Sequence, residues 1–336
     1  MNKTPRVCVW HVQGDTYRDA LRERLPDAPI EAINAATHET GEAVLSAPDS
    51  RSGADHAASL IADALSSAEI LLAWKVPPGT LTNMSALRWV QVTGAGVDHF
   101  LENTELPATV LVTRSLGRFG IQISEYVVGY LLHHLIGINT YREKQRSHEW
   151  ARNERPLLAD RTVGIIGLGS LGLPTATALT TLGARVLGVR HSGLAVPGID
   201  DVFSATSWRN MLPACDALVI AAPKTVETVG MIDHGALDAL PEGTILINIS
   251  RGELIDEDAL LEALESGHLG AAVLDVFDTE PLPEDHPLWD QSRAWITPHI
   301  AAPSEIEVIA DEFANNYRRY VAGDPLLNAV DRGRGY

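Results

Sequence analysis

Arg251, Glu280 and His299 each follow an apolar run that reads as a β-strand, the place where open α/β sheets present groups to a ligand. Arg251 stands between Ile245-Leu-Ile-Asn-Ile-Ser250 and Gly252, so a turn presents it. Glu280 lies in Asp275-Val-Phe-Asp-Thr-Glu-Pro-Leu282, and His299 follows Pro298. A guanidinium grips a carboxylate through two parallel hydrogen bonds, and an imidazole titrates near neutrality. A carboxylate beside that imidazole fixes its tautomer and favours its protonated form. Anion clamp, proton donor and orienting carboxylate are the parts needed to reduce a 2-keto acid with a hydride from a nicotinamide. Singly, each has a plain alternative: a structural salt bridge for Arg251, a loop charge for Glu280, a capped or packed ring for His299. Their combination is what points to chemistry.

A source of hydride is suggested by residues 162–172, an apolar strand running into a Gly-x-Gly-x-x-Gly turn made by Gly167, Gly169 and Gly172. Gly167 permits the tight turn, and Gly169 lets backbone N–H groups approach a pyrophosphate. Gly172 lets the next helix pack close to its strand with its positive end on the anion. Ser170 and Leu171 complete the turn. The following strand, Arg185-Val-Leu-Gly-Val189, ends in Arg190, His191 and Ser192 rather than the acid that would take a ribose 2′-hydroxyl. Arg190, 18 residues beyond Gly172, is placed to clamp a 2′-phosphate, so NADP is preferred and NAD is the alternative. A solvated loop arginine is the competing explanation.

About half the chain precedes the glycine turn, so another folded unit comes first. In it, strands are expected at Arg6–Trp10, Ile30–Ile33, Ile70–Trp74, Leu87–Thr93 and Val110–Thr113, with helices over Tyr17–Leu25 and Asp55–Ser66. One long helical segment runs from Ser124 to about Trp150 and suits a hinge or a subunit-contacting arm. Beyond it come strands at 162–167, 185–189, 216–221, 244–249 and 269–275, alternating with helices at 171–182, 207–212, 235–239 and 256–265. Five strands separated by helices describe a doubly wound parallel sheet, and a last amphipathic helix over about 303–322 is expected to return to the first domain. The expected fold is α/β: two Rossmann/flavodoxin-like domains with a cleft between them, the cofactor domain inserted into the substrate domain. Residues 1–115 and 297–336 form the substrate domain, and 116–296 form the dinucleotide domain with its arm helix over 121–150. Gly117 and Gly120 flank the crossing and suit either a hinge or simple turns.

Composition narrows the partners. A net charge of −18 opposes binding to nucleic acid or anionic membrane, and no apolar run approaches membrane-spanning length. The N-terminus lacks the long apolar core of a signal peptide, so a cytoplasmic location is expected. Cys8 and Cys215, far apart in sequence, support neither a disulfide framework nor a zinc site. His11, His38, His56, His99, His133 and His134 show no metal-ligand spacing, so no metal is expected.

The glycine turn, Ile249-Ser-Arg-Gly252, Asp256-Glu-Asp-Ala-Leu260, Leu274-Asp-Val-Phe-Asp-Thr-Glu-Pro-Leu-Pro283 and Ile296-Thr-Pro-His-Ile300 together resemble the D-isomer-specific 2-hydroxyacid dehydrogenase family over essentially the whole chain. Gly94-Ala-Gly-Val-Asp98, Glu125-Tyr126, Ser147-His-Glu-Trp150 and the tail Val330–Tyr336 resemble its glyoxylate- and hydroxypyruvate-reducing branch. The resemblance implies reduction of a small 2-keto acid of that type to the D-2-hydroxy acid with NADPH. Arg251 would bind the substrate carboxylate and polarise its carbonyl, His299 would deliver the proton, and Glu280 would hold His299. Asp275 would contact the nicotinamide carboxamide, while Pro223, Thr228, Ile249 and Ser250 would line the cofactor. Ala95, Gly96 and Val97 would meet the substrate carboxylate beside Trp74 and Lys75. Trp150 would reach a partner subunit's pocket, implying a homodimer. His191 and Ser192 replace a more basic run, and Lys75 also departs from the pattern. Two other functions stay open: an NAD-dependent D-2-hydroxyacid dehydrogenase for a bulkier acid, and a non-catalytic, dinucleotide-sensing binding protein of corepressor type.

Overall fold

Short apolar runs buried on both faces become the strands of two parallel sheets in the computed structural model, which describes residues 4–35 and 61–336. The chain divides into one unit spanning Met1–Arg118 and Ser304–Tyr336 and a second spanning Phe119–Pro303.

The first unit has strands β1 (Val7–His11), β2 (Ile30–Asn34), β3 (Ile70–Ala73), β4 (Trp89–Val92) and β5 (Leu111–Arg114), in the order β2-β1-β3-β4-β5. That is the flavodoxin-like order, with every pair parallel. Helices α1 (Gly14–Arg24), α2 (residues 61–67) and α3 (Asp98–Leu101) belong to it. Of the helix expected over Asp55–Ser66, the part before residue 61 lies outside the described residues, as do His38 and His56. Helix α9 (Ile306–Ala322) packs here, with Phe313 stacked 5.2 Å from Trp89 and Asn316 donating to Gln91 at 3.2 Å. Asn316 also accepts from the Leu327 N–H at 2.8 Å, so a buried polar network seats the chain's return.

The second unit opens with α4 (Phe119–Ile136) and α5 (Ile138–Arg146). The single long helix expected from Ser124 to Trp150 is in fact two, because Gly137 adopts the left-handed region at φ 71° and ends the first. Gly120 serves close packing: a Cβ there would lie 2.8 Å from the Ser170 carbonyl oxygen. Then follow β6 (Thr162–Ile166), α6 (Gly172–Thr181), β7 (Arg185–Val189), β8 (Asp201–Phe203), β9 (Ala217–Ile220), α7 (His234–Asp238), β10 (Thr244–Asn248), α8 (Glu257–Ser266), β11 (Leu269–Leu274) and β12 (Ala294–Ile296). The sheet has seven strands rather than five, in the order β12-β11-β10-β9-β6-β7-β8. The two extra strands, β8 and β12, are three-residue edge strands too short to leave a periodic signal. The helix expected over 207–212 is a 3₁₀ segment, Trp208–Ala214, because Pro213 cannot supply an α-helical N–H. Apolar side chains from both sheet faces form the unit's two core layers, one around Leu218, Leu246 and Leu264 and one around Val163, Val219 and Ile247. Among the described residues no helix is long and apolar enough to cross a membrane.

Candidate active site

In the second unit the strand order reverses between β6 and β9, the position where doubly wound sheets bind ligands. The glycine turn sits there. Gly167 has φ +106°, and a Cβ on it would lie 2.6 Å from the Ala221 carbonyl oxygen beyond β9. A Cβ on Gly172 would come within 2.0 Å of the Gly167 carbonyl oxygen, so the helix and turn touch backbone to backbone. Gly169 is different: a Cβ there meets nothing within 4 Å among the described residues. Gly169 and Ser170 are exposed and Leu171 half-buried at the start of the ten-residue helix α6. The turn is therefore tightly closed at its first and third glycines and open at the second, a cradle that fits a pyrophosphate. Gly188 makes room for Leu168 beneath it.

Arg190, His191 and Ser192 are exposed on the β7–β8 connection, where Arg190 donates its backbone N–H to Phe203 at 3.0 Å. Ser192 accepts from the Leu194 N–H at 3.3 Å. Pro223 and Thr228 belong to one turn after β9, closed by the Thr228 hydroxyl donating to the Pro223 carbonyl at 2.7 Å. The Ser250 hydroxyl donates to the Ala222 carbonyl, and Ile249 donates its N–H to Ile220 at 3.3 Å. These bonds join the segments after β9 and β10.

His299, Glu280 and Arg251 converge at the carboxyl end of the same sheet. The His299 Nδ1 lies 2.8 Å from Glu280 Oε2. An ionised carboxylate only accepts, so Nδ1 carries the proton of this bond and Nε2 is left to serve a substrate. Glu280 Oε1 accepts from the Phe277 N–H at 3.0 Å. Burial pushes the Glu280 carboxyl up, but its bonds and the His299 and Arg251 charges outweigh burial and hold it below the usual glutamate range. Arg251 heads a 3₁₀ turn, its carbonyl accepting from the Asn248 amide at 2.8 Å. Gly252 lets this turn lie against the chain after β11, since a Cβ there would be 2.1 Å from the Phe277 carbonyl carbon. Arg251 and Glu280 are thereby drawn together.

His299 has φ 53°, an unusual backbone conformation for a side-chain-bearing residue. Asp275 holds it there. The Asp275 carbonyl accepts from the His299 N–H at 2.9 Å, and its carboxylate accepts from the Thr297 hydroxyl at 2.6 Å and from the Ile300 and Ala301 N–H groups at 2.8 Å each. Only 2% exposed, the carboxyl is pushed up by burial, while these donors and the His299 charge pull it back in part. Asp275 is thus a structural anchor; its Oδ2, taken only by Ala301 among the described residues, keeps capacity for a further donor. The hydroxyls of Tyr126 and Thr297 are 2.6 Å apart, so α4 braces the same segment. Sequence reasoning missed Thr297 and Tyr126 as positioning residues, although Thr297 stands within the Thr-Pro-His run.

In the first unit, Trp74 and Lys75 follow β3, and Ala95, Gly96 and Val97 follow β4. Among the described residues the N–H groups of Ala95, Gly96 and Val97 donate to no acceptor, which leaves a row of donors suited to an anion. The Trp74 ring covers Gly94, where a Cβ would be 2.2 Å from it, and Arg114 donates to the Ala95 carbonyl at 3.4 Å. Trp150, beyond α5, is 94% exposed and makes little contact within its own unit. No group of three or more His, Cys, Asp or Glu among the described residues could hold a metal.

Comparison with known proteins identifies the family and the fold. Residues 128–301 match the family model described as D-isomer specific 2-hydroxyacid dehydrogenase, NAD binding domain. The glyoxylate/hydroxypyruvate reductase A of Serratia proteamaculans is 36% identical over 276 residues, covering 80% of this chain and 88% of that protein. Among solved structures, a D-isomer specific 2-hydroxyacid dehydrogenase of Xanthobacter autotrophicus Py2, in complex with NADPH and MES, superposes with a TM-score of 0.86 at 30% identity. The NADPH-dependent glyoxylate/hydroxypyruvate reductase of Sinorhizobium meliloti, in complex with NADP and sulfate, superposes at 0.85 and 30%. Each covers 99% of this chain and 100% of its own.

Two outcomes follow from this geometry. Gly172→Ala should cost roughly 2 kcal/mol or more in urea unfolding because backbone must move. Gly169→Ala should cost under about 0.5 kcal/mol yet weaken dinucleotide binding, measured by protein fluorescence; equal stability losses would contradict the cradle. Because the native Glu280 pKa is lowered, its stabilisation is present above the ordinary glutamate range and lost as pH falls through that range to the lower native value. The stability gap between wild type and Glu280→Gln should therefore be widest near neutrality and close in acid, as read by urea unfolding at stepped pH; a pH-independent gap would count against the ion pair.

Proposed function

The chain belongs to the D-isomer specific 2-hydroxyacid dehydrogenase family, and from that premise we propose that it reduces a small 2-keto acid of the glyoxylate or hydroxypyruvate type to the D-2-hydroxy acid. NADP is its preferred dinucleotide and NAD the alternative. The observation that carries this reading is the 2.8 Å His299–Glu280 pair, set beside Arg251 on the sheet that also bears the glycine cradle.

Bound in that cradle, the dinucleotide supplies the hydride for C2 of the substrate. Arg251 grips the substrate carboxylate and polarises the carbonyl. As charge builds on the carbonyl oxygen, His299 gives up the Nε2 proton, while Glu280 keeps hold of the proton on Nδ1. One hydride and one proton account for the two hydrogens gained, and the ring is left neutral with its tautomer fixed. In the first unit, the Ala95, Gly96 and Val97 N–H groups are assigned to the substrate carboxylate, with Trp74 and Lys75 assigned to the rest of the substrate. Asp275, Pro223, Thr228, Ile249 and Ser250 are assigned to the cofactor.

Arg190 is assigned to the 2′-phosphate, with His191 and Ser192 beside it. We also propose a homodimer, supported by α5, which buries none of its residues, and by the exposure of Trp150. The charge of −18 supports a protein without nucleic-acid or anionic-membrane partners, and a cytoplasmic location is proposed with it.

Arg251→Ala should lower kcat/KM for glyoxylate about a thousandfold, followed by NADPH oxidation; near-normal turnover would refute its role. His299→Gln should lower kcat about 100-fold or more with a smaller effect on KM, and a loss confined to KM would remove it as the acid. Arg190→Ala should reduce the ratio of kcat/KM for NADPH over NADH about tenfold. An unchanged ratio would place 2′-phosphate recognition elsewhere.

A further inference from the structure

We infer that Lys75 makes this enzyme prefer, among 2-keto acids longer than glyoxylate and hydroxypyruvate, those that carry a second carboxylate. The inference rests on the reductase reading and extends its substrate range to four- and five-carbon acids. Lys75 is one of only four lysines in a chain of net charge −18, and it lies at the edge of the anion-suited loop. Strands β3 and β4 pair in register with Ala73 opposite Val92, so Lys75 leaves β3 beside the start of the Gly94–Val97 loop. Trp74 locks that juxtaposition by covering Gly94 and by packing its ring 4.8 Å from His99. Among the described residues no hydrogen bond or ion pair occupies the Lys75 ammonium.

Lys75 also lines a cavity of about 560 Å³ within the first unit. Of the residues assigned to the substrate only Lys75 lines it, so it offers room beyond the Gly94–Val97 loop for the distal end of a longer acid. Val76 and Phe100 supply apolar wall for methylene groups. Glu102 and Glu105 line it too, following α3 and so past the far end of the loop. Glu105 is committed through Oε1 to the Gly79 N–H at 2.6 Å, and its buried Oε2 accepts no hydrogen bond among the described residues. These carboxylates repel a second anion from their part of the cavity, which leaves the Lys75 side as the place where one is attracted. Selectivity then has both components: a cation where the distal carboxylate fits and acids where it does not.

The test compares matched substrates that differ only in the distal charge: oxaloacetate against 2-oxobutyrate, and 2-oxoglutarate against 2-oxovalerate, with NADPH. Wild type should show kcat/KM at least about tenfold higher for the dianion in one pair, equivalent to about 1.4 kcal/mol. Lys75→Met should abolish that preference and Lys75→Arg should retain it, while added salt should erode it in wild type and Lys75→Arg alike. A wild-type enzyme that reduces glyoxylate but shows no dianion preference in either pair overturns the Lys75 assignment and leaves the reductase reading intact. So does a preference that survives in Lys75→Met. Absence of NADPH oxidation with every 2-keto acid overturns both.

Discussion

A single buried carboxylate, Asp275 at the end of β11, holds the candidate site of the second unit in shape. Burying a carboxylate is costly unless donors surround it, and here the donors are the backbone and side chain of the segment that carries His299. Thr297, Ile300 and Ala301 must fold around Asp275 to satisfy it. His299, caught between them, is forced into the left-handed backbone region that aims its ring at Glu280. Tyr126 on α4 extends the same network through Thr297. The group proposed to deliver the proton is thus held by bonds that the fold must make for its own stability, which is how a site comes to be preorganised before any substrate arrives.

Electrostatics work in the same direction on a smaller scale. The chain is strongly acidic, yet the groups assigned to anions are cations or hydrogen-bond donors: the open glycine turn at α6, Arg251 after β10, and the N–H row after β4, which donates to no acceptor among the described residues and lies near Lys75 and Arg114. Each sits at the carboxyl end of a parallel strand, where the chain leaves the sheet and its backbone groups are not used in a ladder. Acidity elsewhere keeps other anions away. Among the described residues both cysteines are buried with thiols pushed up to about 12, so neither contributes reactive sulfur.

Much of this was legible in the chain itself because the signals are local. The glycine turn reads from eleven consecutive residues, 162–172, and the strands of both sheets read as apolar runs because a parallel strand is buried on both faces. Edge strands β8 and β12 did not, being three residues long and only partly buried, and neither did the break at Gly137, since a lone glycine inside a helical pattern does not announce whether it kinks or merely weakens the helix. The load on Asp275 was invisible for another reason. Tyr126 and Thr297 are 171 residues apart, and no spacing rule links them.

The sequence by itself determined which chemistries are available and where along the chain they lie: a phosphate cradle, a guanidinium, an imidazole and a carboxylate, each after an apolar strand. Residue type sets pKa range, hydrogen-bond inventory and backbone freedom, and these need no neighbours to be known. Only the tertiary structure decided that Glu280 grips His299, that Gly252 brings Arg251 alongside, and that Asp275 is spent chiefly on holding the segment rather than standing free. Those outcomes depend on distances between strand ends set by sheet order and backbone contact. A sheet that places β10, β11 and β12 side by side brings together what lies dozens of residues apart in the chain.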